Sequence, residues 1–284
     1  MADLHPPRDA LGARAWLRGR DIIDGLLAAL FSSPCVVCGR IMDHPTRGAA
    51  CDDCWRAVRS ITPPVCQVCG EPLASRRVAL PDEQPPALPL RCAACSACRP
   101  RIEIARAVGP YEGTLRHLLH ALKFEGRRSL APRLGALVRE RCASVLERAD
   151  AVVPVPLHAR REWTRGFNQA EVIARELGVP VWRALRRTRH TSSQSTLAAA
   201  ERRRNVAGAF ALRRRFRGPG RQAALNGACV VLVDDVQTTG ATLDSCAEVL
   251  EHAGVHEVRA VTVARAVLAY PAPPAPRSAR LTGP

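Results

Sequence analysis

Val230-Val231-Leu232-Val233-Asp234-Asp235-Val236-Gln237-Thr238-Thr239-Gly240-Ala241-Thr242 joins an apolar run, an acidic pair and a string of small residues within thirteen positions. The four consecutive β-formers read as a parallel strand covered on both faces, and the carboxylates fall where that strand leaves the sheet. The hydroxyl residues and glycine that follow open a helix. Free N–H groups at a helix start, together with the helix dipole, hold a phosphate dianion, and threonine hydroxyls add further donors. Gly240 lets the backbone approach such a ligand closely. Asp234 and Asp235 beside this cradle suit sugar hydroxyls or Mg²⁺, which takes a few carboxylate and phosphate oxygens plus water. A strand that merely ends in a capped helix needs one Asp, Ser or Thr rather than the whole series.

Working outward, the chain from Ala151 alternates strand patterns at 152–155, 209–213, 229–234 and 258–264 with helix patterns at 171–177 and 242–253. Such alternation predicts an α/β fold, a mostly parallel sheet flanked by helices, with ligands at the carboxyl ends of the strands. Upstream, Leu115, Leu118, Leu119 and Leu122, then Leu130, Leu134, Leu137 and Val138, predict two amphipathic helices around Phe124-Glu125-Gly126. The polar run after the 152–155 strand holds Arg160, Arg161 and Arg165, whose guanidinium forks suit a pyrophosphate at the same rim. A further run from Thr188 to Phe210, containing Gln194 and Arg203, is polar and then basic. It has the makings of a flap that closes over a polyphosphate, the alternative being an ordinary exposed loop. The basic stretch 213–221 reads as a solvated loop rather than a surface for acidic partners. Lys123 is the one lysine beside forty-one arginines. It suits a pocket wanting a compact ammonium at a phosphate, or else a plain charge at a helix C-terminus.

The chain has twelve cysteines, eight of them in Cys-x-x-Cys pairs within its first hundred residues: Cys35/Cys38, Cys51/Cys54, Cys66/Cys69 and Cys92/Cys95. Two such pairs about a dozen or more residues apart make a thiolate cage for Zn²⁺, and the motif occurs twice. Metal is expected to replace the hydrophobic core that this proline-rich segment lacks. Cys98 offers a competing Cys95/Cys98 pair, and spacing leaves open whether the cages use successive or interleaved pairs. Cys142, Cys229 and Cys246 read as small buried residues. A disulfide framework would need an oxidising compartment, and no signal for one is evident. Trp16, Ile23, Leu26, Leu27, Leu30 and Phe31 predict an N-terminal amphipathic helix interrupted by Asp21 and Asp24, no segment has the roughly eighteen apolar residues of a membrane span, and a cytoplasmic protein is expected. The net charge of +16 attracts polyanions, but arginine bias and only 4 % aromatics weaken a nucleic-acid reading. The organisation expected is an amphipathic helix at 1–31, paired zinc ribbons at 32–99 with a proline-rich loop at 72–91, an α/β unit at 105–268 and a disordered tail at 269–284.

The stretch quoted first resembles the phosphoribosyl-pyrophosphate (PRPP) signature of type I phosphoribosyltransferases. That resemblance implies Asp234 and Asp235 at the ribose hydroxyls or Mg²⁺, and Thr238, Thr239, Gly240, Ala241 and Thr242 around the 5′-phosphate. It extends further, through Tyr111, Leu118-Leu119-His120-Ala121-Leu122-Lys123-Phe124, Val153-Pro154-Val155-Pro156-Leu157, Arg165-Gly166-Phe167-Asn168-Gln169, and Gln194 with Leu197, Arg203, Asn205-Val206 and Phe210. With the cysteine pairs, this order is similar to the ComF/GntX family of double-zinc-ribbon, phosphoribosyltransferase-like proteins. The family spacing fits Cys92/Cys95 better than Cys95/Cys98. It implies two structural zinc ions, Mg²⁺ with PRPP, pyrophosphate held by Arg160, Arg161 or Arg165 with Arg203, and phosphoribosyl transfer to a base or amine. It also implies a role in DNA uptake with single-stranded DNA and other competence proteins as partners. The alternative is a PRPP or nucleotide sensor, or a single-strand-binding factor, without turnover. The extra Cys98, the insertion after Cys69 and the basic 213–221 stretch depart from the family pattern.

Overall fold

The computed structural model describes residues 33–42, 44, 48–73, 90–189, 206, 208–216 and 218–267. The expected N-terminal helix, most of the proline-rich insertion, the central part of the flap with Gln194 and Arg203, and the C-terminal tail lie outside these residues. In chain order the elements are α1 (Asp52–Arg56), α2 (Ala93–Ala97), β1 (Ala105–Pro110), α3 (Gly113–Phe124), α4 (Ala131–Arg141), α5 (Ala143–Leu146), β2 (Ala151–Pro154), α6 (Ala159–Arg165), α7 (Gln169–Ala174), β3 (Leu185–Arg187), β4 (Phe210–Leu212), α8 (Pro219–Leu225), β5 (Cys229–Gln237), α9 (Ala241–Glu251) and β6 (Glu257–Arg265).

Four strands form one parallel sheet in the order β1-β6-β5-β2. The pattern of side chains shows why. In β5, Val231 and Val233 enter one core cluster while Val230 and Leu232 enter another, as the two-residue strand period demands. Val152 against Val153, and Val261 and Val263 against Val258 and Ala260, divide in the same way. Both faces are therefore covered, which is what a continuous apolar strand needs. Leu115, Leu118, Leu119 and Leu122 of α3, Leu134 and Val138 of α4 and Ile173 of α7 cover one face. Leu243, Cys246, Ala247 and Leu250 of α9, with Leu185, Phe210 and Leu225, cover the other.

Several boundaries differ from the sequence reading. The 209–213 pattern forms β4, which pairs antiparallel with β3 in a separate two-stranded sheet instead of joining the parallel one. β5 continues past Asp234 to Gln237, because Val236 and Gln237 stay in register with Ala264 and Arg265 of β6. The acidic pair thus lies within the last turns of the strand, not beyond it. The basic stretch carries a 3₁₀ turn at Arg214–Phe216, with Phe216 buried, and the start of α8.

The first ribbon does not rely on metal alone. Met42, Trp55 and Val58 join the same apolar cluster as Leu115 and Leu118. Gly109 of β1 has no room for a side chain, since a Cβ there would run into the Arg59 carbonyl. Arg141 clamps this junction, donating to the Arg59 and Val108 carbonyls at 3.2 Å and to the Val58 carbonyl at 3.1 Å. No helix among the described residues is long and apolar enough to cross a membrane.

Candidate functional site

The carboxyl ends of β2 and β5 meet the C-terminus of α3, helix α6 and the β3 strand. The strand period turns Asp234 and Asp235 to opposite faces of the sheet end. Asp235 faces α3, where Lys123 Nζ reaches its Oδ2, both side chains being mostly buried. Asp234 faces α9 and β3, where it feels the charge of Arg187 and lies near Cys246. Each carboxylate also folds onto the backbone ahead of it: Asp234 Oδ1 accepts from the Asp235 N–H at 2.8 Å and Asp235 Oδ1 from the Val236 N–H at 2.9 Å. Asp234 keeps its second oxygen for another partner, whereas both oxygens of Asp235 are engaged.

Burial raises the Asp234 carboxyl to about 7, against the opposing pull of Lys123 and Arg187. Lys123 is pushed down to about 8 by burial, opposed by Asp234 and assisted by Arg165. Arg165 and Arg187 are lowered by burial and by the neighbouring charge of Arg161. Lys123, Arg161, Arg165 and Arg187 therefore share one field around the acid pair. Four cations against two carboxylates leave this end of the sheet suited to a polyanion.

Beyond Gln237 the chain turns through Thr238 and Thr239 to Gly240, whose φ of 80° is left-handed, and enters α9 at Ala241. Thr238 and Thr239 are exposed and Thr242 half-buried. The Asp244 N–H donates to the Gly240 carbonyl at 2.9 Å, closing the first turn. Beneath the loop lies Gln237, 5 % exposed, whose Oε1 is buried without a hydrogen-bond partner. Its Nε2 lies 3.4 Å from where a Cβ on Gly240 would stand. The Ala241 N–H donates to Thr239 Oγ1 at 3.5 Å, and the loop stands at a helix start, the kind of place where a phosphate binds.

Helix α6 is held by a His158 cap, which accepts from the Arg160 N–H at 3.3 Å, and ends at left-handed Gly166. Its i, i+4 spacing puts Arg161 and Arg165 on one side, while Arg160 is exposed. Arg165 donates to Gln169 Oε1 at 3.1 Å and stacks 5.1 Å from the Phe124 ring. Sequence reasoning did not single out Arg187, which comes from the unrecognised short strand β3; in a chain with forty-one arginines its residue type carries no signal. For Mg²⁺, the free Asp234 oxygen plus ligand phosphate oxygens is a fitting donor set, with Lys123 already engaging Asp235.

The cysteines form two separate cages from successive pairs. Cys35, Cys38, Cys51 and Cys54 bring their sulfurs within 4.8 Å of one another, and so do Cys66, Cys69, Cys92 and Cys95. Cys98 is exposed and belongs to neither. A tetrahedral ion with Zn–S bonds of about 2.3 Å places sulfurs about 3.8 Å apart. The Cys35–Cys54 and Cys38–Cys51 separations are both 3.8 Å, and Cys69–Cys92 is 3.6 Å. Burial opposes ionisation of Cys35, but hydrogen bonds from the backbone at Cys38, Cys51 and Val37 bring its thiol down to about 6. Cys66 reaches about 7 in the same way, through the backbone at Cys69, Cys92 and Val68. Both cages suit a structural zinc ion. Cys142 and Cys246 are fully buried, whereas Cys229 is partly exposed.

Comparison with known proteins gives the same two parts. Residues 26–99 match the double zinc ribbon domain and residues 163–277 the phosphoribosyl transferase domain. Competence protein F of Haemophilus influenzae is 30 % identical over 249 residues, covering 83 % of this chain and 98 % of that protein. DNA utilization protein YhgH of Salmonella typhimurium is 33 % identical over 219 residues, covering 74 % and 87 %. Competence protein ComFC of Bacillus subtilis is 27 % identical over 211 residues, covering 72 % and 78 %.

Proposed function

Because the chain belongs to the ComF/GntX family, in which a double zinc ribbon precedes a phosphoribosyltransferase-like domain, we propose that its pocket binds PRPP or a related nucleotide and transfers the phosphoribosyl group to a base or amine. The observation that carries this reading is the convergence of Lys123, Arg161, Arg165 and Arg187 on the acid pair, beside the loop that opens α9. In the proposed roles, Thr238 to Thr242 hold the 5′-phosphate and Asp234 and Asp235 the ribose hydroxyls. Arg161, Arg165 and Arg187 face the pyrophosphate, joined by Arg203 of the flap, with Arg160 at the outer edge and Gln194 lining the flap. Mg²⁺ bound with PRPP supplies further neutralisation of the leaving group. As the bond from ribose C1 to pyrophosphate oxygen breaks, the electron pair leaves with pyrophosphate and the arginines stabilise that charge. A nitrogen nucleophile forms the new bond to C1 from the opposite face and loses its proton to water. The protein's contribution is positioning and charge stabilisation. The proposed division is ribbons at 32–99 and the transferase-like unit at 105–268, in a cytoplasmic protein.

A second reading, binding without turnover, is favoured by the Lys123–Asp235 contact, which already occupies one carboxylate. The names of the relatives, and the charge of +16, support a part in handling incoming DNA alongside other competence proteins, including contact with single strands. Calorimetric titration with Mg²⁺ and PRPP, combined with pyrophosphate-release assays on candidate bases, separates these. Wild-type protein is expected to bind, and Asp235→Asn to lose at least about tenfold in affinity, the loss of one charge-assisted contact. Binding without release of pyrophosphate selects the sensor. No binding at all removes the pocket reading.

A further inference from the structure

Both walls of the 238–242 loop are tied to the segment that carries the second cysteine cage. On the strand side, Arg265 ends β6, in register with Gln237, and the Ala266 N–H donates to the Gln237 carbonyl at 2.8 Å, immediately before Thr238. The Arg265 side chain, 5 % exposed, reaches into the second ribbon. It donates to the Cys69 carbonyl at 2.6 Å, to Cys69 Sγ at 3.5 Å and to Glu71 Oε2 at 2.7 Å. On the helix side, the Arg101 N–H donates to Asp244 Oδ1 at 2.7 Å, and Asp244 is the residue whose own amide closes on Gly240. The Arg101 guanidinium then runs along α9 to Glu248 at 3.3 Å and Glu251 at 2.7 Å. The cage itself abuts β1: the Ala105 N–H donates to the Val68 carbonyl at 2.7 Å, and a Cβ on Gly70 would stand 2.8 Å from the Ala105 carbonyl. The first cage has different supports, through Trp55, Arg59 and Arg141 at the far junction with α3 and α4.

We infer that Arg265 and Arg101 are positioning residues that couple the second cysteine cage to the phosphate loop, so that metal in that cage and a phosphorylated sugar on the loop reinforce each other. The inference rests on the PRPP reading of the loop. Its physical basis is that Cys69 sets where the Arg265 side chain is held, and Arg265 sets the end of β6 that orders Gln237. Coupling of binding equilibria is reciprocal: if cage occupancy tightens PRPP binding, PRPP must retain the metal by the same factor. Among the described residues one of the two cages has these links, so one metal ion is expected to respond.

The test uses full-length protein loaded with two zinc ions, a zinc-selective chromogenic chelator, and Mg²⁺ with or without PRPP. PRPP is expected to slow release of one ion by about tenfold, within the usual range of coupling between sites, and to leave the other unchanged. Arg265→Ala and Arg101→Ala are expected to weaken PRPP binding by a similar factor and to abolish the slowing. Arg265→Lys, which keeps the charge but not the fork across Cys69 and Glu71, is expected to fall between. Arg133→Ala, beside Trp55 at the first ribbon, serves as a control with no effect on either quantity. Should Arg265→Ala fail to fold, Arg101→Ala, whose side chain is 44 % exposed, carries the test. If wild-type protein binds PRPP yet both ions leave at unchanged rates, or both slow equally, the coupling is refuted. If wild-type protein does not bind PRPP, the failure belongs to the pocket reading instead.

Discussion

Asp234 and Lys123 are displaced in opposite directions, and together they give the pocket a defined pH behaviour. Asp234, raised from 3.8 to about 7, keeps in the folded state a proton that the unfolded chain has lost. Stability from this group is present at low pH and is lost as pH rises through about 4 to 7. Lys123, lowered from 10.5 to about 8, sheds its proton early on folding, so its contribution improves as pH rises from about 8 to 10.5. Between the two values both groups are charged and both burial costs are present. Holding two ions against their solvation preference near neutral pH costs stability, a cost in keeping with the proposed binding role. Asp234→Asn is expected to raise the thermal midpoint at pH 7.5 by about 2–4 °C, the effect of roughly 1 kcal/mol in a chain of this size. The gain should shrink toward pH 5, and PRPP binding should be lost. Melting curves across that range would contradict the assignment if the variant were no more stable at pH 7.5.

Among the elements, β5 was legible because an apolar run covered on both faces needs no periodicity to be recognised. Its last three residues, 235–237, were not, because Asp235 is a poor strand former and pairing of Val236 and Gln237 with Ala264 and Arg265 of β6 keeps this end extended. β1 escaped recognition for a related reason. It is an edge strand, where Gly109 and Pro110 are tolerated although they spoil the pattern. Helix α6 buries none of its residues, so it has no apolar stripe to read; its signals are the His158 cap and the glycine stop. The loop entering α9 depends on the backbone of Gly240. Gly240→Ala places a Cβ on a left-handed residue, which costs about 1–2 kcal/mol, and is expected to weaken PRPP binding as the loop readjusts. Gly240→Asn should be milder, since Asn visits that conformation more readily. Denaturant unfolding and PRPP titration of the two variants check the order.

At the scale of the molecule, the expectation that metal substitutes for a core holds only in part. Trp55, Val58 and Met42 of the first ribbon lie in the same apolar cluster as Leu115, Leu118 and Leu134. Zinc removal is therefore expected to lower the stability of the α/β unit as well, giving a single calorimetric transition at lower temperature. Two separated transitions, with the upper one unmoved, would show that the ribbons and the sheet unfold independently. The site was legible where residue type and local spacing decide it: the acid pair, the threonine loop, Lys123 and the cysteine pairs. Arg187 was hidden because its nearness to Asp234 arises only when β3 and β5 are brought together, a long-range placement with no local signature. The choice between successive and interleaved cysteine pairs likewise needed three dimensions. That choice has a consequence for how the chain can be altered. Cys69 and Cys92 are 23 positions apart in sequence, yet their sulfurs are 3.6 Å apart, so the intervening peptide departs and returns at one spot. Lengthening a loop between two such fixed ends costs only about 0.6 kcal/mol per doubling, which makes the stretch between Cys69 and Cys92 a natural port for splicing in a fluorescent or affinity module while the four sulfurs keep their places.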